Sequence, residues 1–236
     1  MKDNRLIVGI LVAGLFFSPV ASFLGKSSDI GSVHAEEQLS ADSPPAKLKA
    51  KLAEIDKAID TSPSAKAYGA KANVLVFMGE KSKALTAINK AIQLSPNTGK
   101  YYAYRGLIKS TVGDLDGTIK DIEKAKSISY LDSDYLGLLA LAQADKADFK
   151  NALKNAEAAL REENDNYSAL YARGKVRTSQ KNYQKALSDF GKAITKNGKL
   201  PEIYLERAAV WEKLGNKKNA LSDRAIAQKL KSQANR

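Results

Sequence analysis

From Ala65 onward, the small and large apolar positions of this chain recur at one fixed period, with no insertion or deletion, through blocks 65–98, 99–132, 133–166, 167–200 and 201–234. The eighth residue of each block is Ala72, Gly106, Ala140, Gly174 or Ala208. The twentieth is Ala84, Thr118, Ala152, Ala186 or Ala220, and the twenty-seventh is Ala91, Ala125, Ala159, Ala193 or Ala227. Large apolar residues hold the fourth position (Tyr68, Tyr102, Leu136, Leu170, Tyr204) and the twenty-first (Leu85, Ile119, Leu153, Leu187, Leu221). The turn near the fifteenth position carries Gly79, Gly113 and Gly215, with Asp114, Asn182 and Asn216 following as helix stops and caps. The pattern predicts two antiparallel helices per block. Small residues sit where backbones come nearest, and large ones fill the space between. One helix pair cannot bury both its faces, so neighbouring pairs must stack.

Upstream, Leu48, Leu52, Ile55 and Ile59 lie on one face of a helix that Pro63 ends. Residues 47–63 read as a capping half repeat. The twenty-fourth position runs Ile88, Ile122, Ala156, Phe190, Arg224, so a charge enters only in the last block, as expected of a terminal repeat.

The spacing resembles the tetratricopeptide repeat family. Tyr102-x3-Gly106, Ala186-x3-Phe190 and Ala91-x4-Pro96 carry the likeness. The third block, with Leu136, Ala140, Ala156 and Asn164, lacks the aromatic and the proline. The resemblance implies an all-α fold, a right-handed superhelical solenoid of helix-turn-helix repeats with an N-terminal capping helix. The repeats are 65–98, 99–132, a degenerate 133–166, 167–200, and 201–236 including the C-terminal end.

Residues 1–5 have a basic end, and Leu6 to Leu24 is a 19-residue apolar run broken by Ser18-Pro19 and Ser22. This is the layout of an export signal. Val33-His34-Ala35 and Val20-Ala21-Ser22 are candidate cleavage sites, and an uncleaved membrane anchor is the competing reading. Segment 1–35 is accordingly a signal peptide or anchor, and 36–46, polar with Pro44-Pro45, a flexible tether. The expected location is periplasmic or secreted, with membrane anchoring as the alternative.

Composition narrows the chemistry. The chain has no cysteine and one histidine, His34, which the cleaved form would lose. Bases, nucleophiles and soft metal ligands are therefore scarce. Asp114-Leu-Asp-Gly117 has a faint likeness to a calcium loop, but its downstream ligands fall out of step. No catalytic residue, metal or cofactor is expected. The formal charge is +12. Removing residues 1–35 takes away Lys2, Arg5 and Lys26 against Asp3 and Asp29, leaving +11. The excess lies on the second helices and turns, at Lys81, Lys83, Lys120, Lys124, Lys150 and Lys154 among others. That basicity suits an anionic envelope surface, with no sign of specific nucleic-acid recognition.

Arg105, Arg173 and Arg207 hold the seventh position of three blocks, and Asp121, Asp189 and Asp223 the twenty-third of the same three. The other two blocks have Lys71 with Ala87 and Leu139 with Asn155, so arginine and aspartate are lost together. The co-occurrence predicts Arg105–Asp121, Arg173–Asp189 and Arg207–Asp223 pairs joining the two helices of a hairpin.

In the resembled family, the first helix of each repeat lines a concave groove. Carried over, the groove residues here are Lys66, Asn73, Phe77, Lys100, Leu107, Leu141, Tyr171, Lys175 and Leu205. The resemblance then implies an exported scaffold that holds an extended or helical segment of another protein. The alternative is an envelope-associated assembly factor held by an uncleaved N-terminal helix or a basic convex face. Asn73 fits one position of the clamp that grips cytosolic chaperone C-termini. Gly69, Leu107, Gly137 and Leu141 stand where the other clamp residues should be, which excludes that partner class.

Overall fold

The computed structural model describes Leu39, residues 43–129 and residues 131–234. The apolar run 6–24, both candidate cleavage sites and His34 lie outside the described residues. Among the described residues there are eleven helices and no strand. Helix α1 (Pro45–Thr61) is followed by five hairpins: α2 (Ala65–Phe77) with α3 (Lys81–Leu94), α4 (Gly99–Thr111) with α5 (Leu115–Ile128), α6 (Ser133–Asp145) with α7 (Phe149–Glu162), α8 (Tyr167–Ser179) with α9 (Tyr183–Lys196), and α10 (Pro201–Lys213) with α11 (Lys217–Ala234). First helices begin at Ala65, Gly99, Ser133, Tyr167 and Pro201, the opening residue of each sequence block. The chain divides between residues 130 and 131 into two compact units.

In the unit of residues 43–129, α1 seals the first hairpin. Leu48, Ile55 and Ile59 pack with Val74 of α2, and Leu52, Tyr68, Phe77 and Met78 close around them. Helix α1 begins at Pro45, inside the stretch read from sequence as tether, because a proline suits the first helical turn, where its missing N–H is no loss. Then α3 packs on α4, and α4 on α5. In the unit of residues 131–234, α8 lies against α6 and α7, and α10 against α11, α9 and, more lightly, α8.

The small positions sit at the tightest crossings. Ala72, Ala84, Ala91, Thr118, Ala125, Ala140, Ala152, Ala159, Ala186, Ala193 and Ala208 are fully buried. At Gly174 the absent Cβ leaves room for the Phe190 ring, whose Cδ1 would stand 2.7 Å from it. Position 24 is completely buried in four hairpins, as Ile88, Ile122, Ala156 and Phe190. In the fifth, Arg224 is half exposed there and pairs with Glu212 at 2.7 Å.

Each hairpin turns the same way. The fifteenth residue has positive φ in all five, at Gly79 (75°), Gly113 (83°), Ala147 (60°), Lys181 (59°) and Gly215 (74°). The next N–H then reaches back to the carbonyl five residues earlier, as in Asp148 N to Gln143 O at 2.9 Å and Asn182 N to Arg177 O at 2.8 Å. Caps begin the helices: Ser64 accepts from Ala67 N, Asp114 from Gly117 N, and Asn166 from Ala169 N.

Candidate functional site

Three forked ion pairs tie first helix to second. Arg105 donates from Nε and Nη2 to Asp121 at 2.7 and 2.6 Å. Arg173 does the same to Asp189 at 3.1 and 2.8 Å, and Arg207 to Asp223 at 2.8 and 2.7 Å. The carboxylates are all but buried, while each arginine keeps about a fifth of its surface in water. The planar fork meets both carboxylate oxygens at once, which suits a site too dry to hydrate them. A second cation joins two of these aspartates: Lys109 at 2.9 Å on Asp121 and Arg177 at 2.6 Å on Asp189. Sequence reading missed both. They stand at the eleventh position, one helical turn past the arginine, where the fifth hairpin has Trp211. The third hairpin makes a neutral version, with Asn155 Nδ2 donating to Gln143 Oε1 at 2.8 Å.

The nine residues assigned to a groove divide between the units. In residues 43–129, Lys66 and Lys100 are exposed on the first turns of α2 and α4. Asn73 is 1 % exposed, and its amide oxygen accepts the Tyr104 hydroxyl at 2.9 Å. It is an interhelix tie between α2 and α4 rather than a partner contact. Phe77 packs against the α1 cluster, and Leu107 is buried.

In residues 131–234, Leu141 and Tyr171 are buried too. Tyr171 meets Phe190 edge to face at 6.0 Å, so it packs within its own hairpin. The expectation that Asn73, Leu107, Leu141 and Tyr171 offer surface to a partner is corrected accordingly. Leu205 remains 36 % exposed on α10. Family-wide position counts do not register how closely particular neighbours approach; here Gly137, without a Cβ, lets Ser168 and Ala169 of α8 come close.

Lys175 on α8 is the hub of this face. Its ammonium lies 2.6 Å from Asp145 of α6 and 3.1 Å from Glu206 of α10, and 5.5 Å from the Tyr171 ring centroid. One lysine therefore spans three successive first helices. Burial alone would lower its pKa, but Asp145 and Glu206 more than reverse that, so the ammonium is held above its usual range. Burial pushes the Asp145 carboxyl up, against the pull of Lys175. The Tyr171 hydroxyl is pushed well up, first by burial and then by Glu206, Asp145 and Glu202.

Among the described residues, no group of three or more His, Cys, Asp or Glu side chains is placed to hold a metal ion. No described helix is long and apolar enough to cross a membrane.

Residues 65–98, the first hairpin, match the family model of the tetratricopeptide repeat. No curated protein matches the sequence. Among solved structures, the chain is similar to YrrB, described as a TPR protein with an unusual peptide-binding site, at 20 % identity and TM-score 0.57 over 75 % of this chain and 91 % of that one. It is similar to PilW, a type IV pilus biogenesis factor, at 16 % identity and TM-score 0.64, covering 78 % and 86 %. Against the Cut9–Hcn1 hetero-tetramer of the APC/C it reaches TM-score 0.69 at 15 % identity, covering 79 % of this chain and 36 % of that one. At these identities the likeness is one of fold: an all-α array of tetratricopeptide-type helical hairpins.

Proposed function

We propose that this protein is an exported interaction scaffold whose first-helix face receives a segment of another protein. The observation that carries the reading is the Asp145–Lys175–Glu206 bridge. It locks three neighbouring first helices into one preformed face beside the exposed Leu205. A rigid face with charged and apolar groups in fixed register spares a ligand the cost of ordering its receptor. YrrB, a protein of similar fold, is described as having a peptide-binding site. Export rests on the apolar run Leu6–Leu24 behind a basic start.

A photo-crosslinking residue at Leu205, compared with one at the exposed Lys150 of α7, tests the face in the native host. Crosslinks to a defined protein from position 205 and not from 150 are expected. Crosslinks from 150 alone would sink the assignment. N-terminal sequencing of the mature protein tests export, with a start near Glu36 as the expected result.

A second reading, attachment to an anionic envelope surface, draws on one observation: Lys83, Lys120, Lys124, Lys150, Lys154 and Lys185 of the second helices are all exposed. Binding to anionic vesicles that weakens steeply with salt would favour it.

A further inference from the structure

In residues 131–234, side chains spaced four, three and four apart form one stripe along each second helix. On α9 the stripe is Tyr183, Leu187, Phe190 and Ile194, and α10 packs over that helix. Leu187 is 8 % exposed and Phe190 is fully buried. On α11 the same repeat positions hold Lys217, Leu221, Arg224 and Gln228, and one further turn adds Lys231. Among the described residues no helix follows α11, and Leu221 is 66 % exposed. The stripe on α11 thus matches in position one that a helix covers on α9, but it differs in chemistry.

Two features say what fits it. Cations recur along the stripe seven residues apart, at Lys217, Arg224 and Lys231. Arg224 is bound to Glu212 at 2.7 Å and keeps half of its side chain in water. Lys217 and Lys231 are exposed, and Lys231 exerts a weak pull on Glu202. The stripe therefore carries a net positive charge. The second feature is a groove of about 360 Å³ at the turn between α10 and α11, lined by Glu212, Gly215, Lys217, Ala220 and Leu221. Gly215 and Ala220 are small enough to leave it open beside Leu221, with room for an aliphatic side chain. An end that served only to solvate the array would be polar throughout. Leu221 and its groove depart from that.

We propose that α11 is a docking surface for an acidic amphipathic helix of another protein. That helix seats an aliphatic side chain against Leu221 in the groove and sets carboxylates against Lys217 and Lys231. Charge selects this occupant. A second copy of the chain would bring like-charged stripes together, and a basic helix would meet the same repulsion. A flat lipid surface would use the cations and leave the groove empty. The surface is separate from the first-helix face proposed above, so either assignment can fail without the other.

The test uses the full chain and three labelled helical peptides that share a central leucine and carry glutamate, glutamine or lysine one turn to either side of it. Fluorescence anisotropy at low salt is expected to rank the glutamate peptide about tenfold tighter than the glutamine one, with lysine weakest. Rising salt should erode that advantage. The advantage should vanish in the Lys217→Gln, Lys231→Gln double variant, and Leu221→Gln should weaken the glutamate and glutamine peptides alike. Circular dichroism of both variants should match the parent. Equal binding of the three peptides overturns the proposal, as does a glutamate preference that survives in the double variant or affinity indifferent to Leu221→Gln. No binding by any peptide overturns it too. In that event, loss of binding to phosphatidylglycerol vesicles in the double variant would assign the stripe to lipid, and self-association abolished by Leu221→Gln would assign it to a second copy.

Discussion

Asp189 of α9 is held by two arginines of α8 at once: the Arg173 fork takes both of its oxygens, and Arg177 adds a bond to Oδ2 at 2.6 Å. With the carboxylate almost dry, removing it strands two guanidinium groups. Asp189→Ala should cost about 3–5 kcal/mol, read from urea unfolding. Asp189→Asn, which keeps an acceptor, should cost less. An unchanged midpoint in Asp189→Ala would refute the burial argument.

Two glycines of the fourth hairpin should respond to alanine with opposite signs. A Cβ at Gly174 runs into the Phe190 ring, so Gly174→Ala should destabilise by about 1–3 kcal/mol. Phe190→Leu in that background should recover part of the loss. Gly191 meets nothing within 4 Å, so Gly191→Ala should stabilise by roughly 0.5–1 kcal/mol through helix propensity. Thermal melts of the two single variants should move in opposite directions.

At the hairpin turns, Ala147 and Lys181 adopt a backbone that glycine takes without penalty. Ala147→Gly and Lys181→Gly should each raise stability, by about 0.5–1 kcal/mol after the extra freedom of glycine in the unfolded chain is subtracted. A fall in melting temperature for either would contradict the turn geometry.

Equivalent repeat positions need not have equivalent surroundings. Leu187 is 8 % exposed, and Leu221, its counterpart in the next hairpin, is 66 % exposed. Leu187→Lys should cost about 2–3 kcal/mol, and Leu221→Lys should stay within about 0.5 kcal/mol of the parent. Denaturant titration of the pair decides it.

Glu202 supplies a pH signature. Burial raises its folded pKa above the unfolded value near 4.3, against weaker pulls from its own backbone N–H and then from Lys231, so its contribution favours the fold at acid pH and is lost as pH rises through the folded pKa. At pH 7 Glu202→Gln should therefore be more stable than the parent, and the gap should close below about pH 4. A gap independent of pH would exclude the buried charge as its cause.

What could be read from sequence is what repeats. The buried alanines are set by backbone approach, which recurs once per block, so Ala91 and its four counterparts declare themselves. The Arg105, Arg173 and Arg207 forks were legible because arginine and aspartate vanish together from the other hairpins. Lys109 and Arg177 were not, since a second cation on an aspartate leaves no gap when Trp211 replaces it. Lys175 was singled out from its repeat position, but its partners Asp145 and Glu206 belong to different hairpins, beyond any single-block reading. The left-handed step at Ala147 and Lys181 was hidden because neither residue advertises the conformation that Gly79, Gly113 and Gly215 signal.

That shared step has a stereochemical consequence. A φ near 60° is strained for an L-residue and relaxed for its mirror image, so a single D-alanine at position 147 or 181, introduced by chemical ligation, should fit better than the natural residue. In the third and fourth hairpins of this chain, one α-carbon is the point at which the ordinary chirality of protein works against the fold.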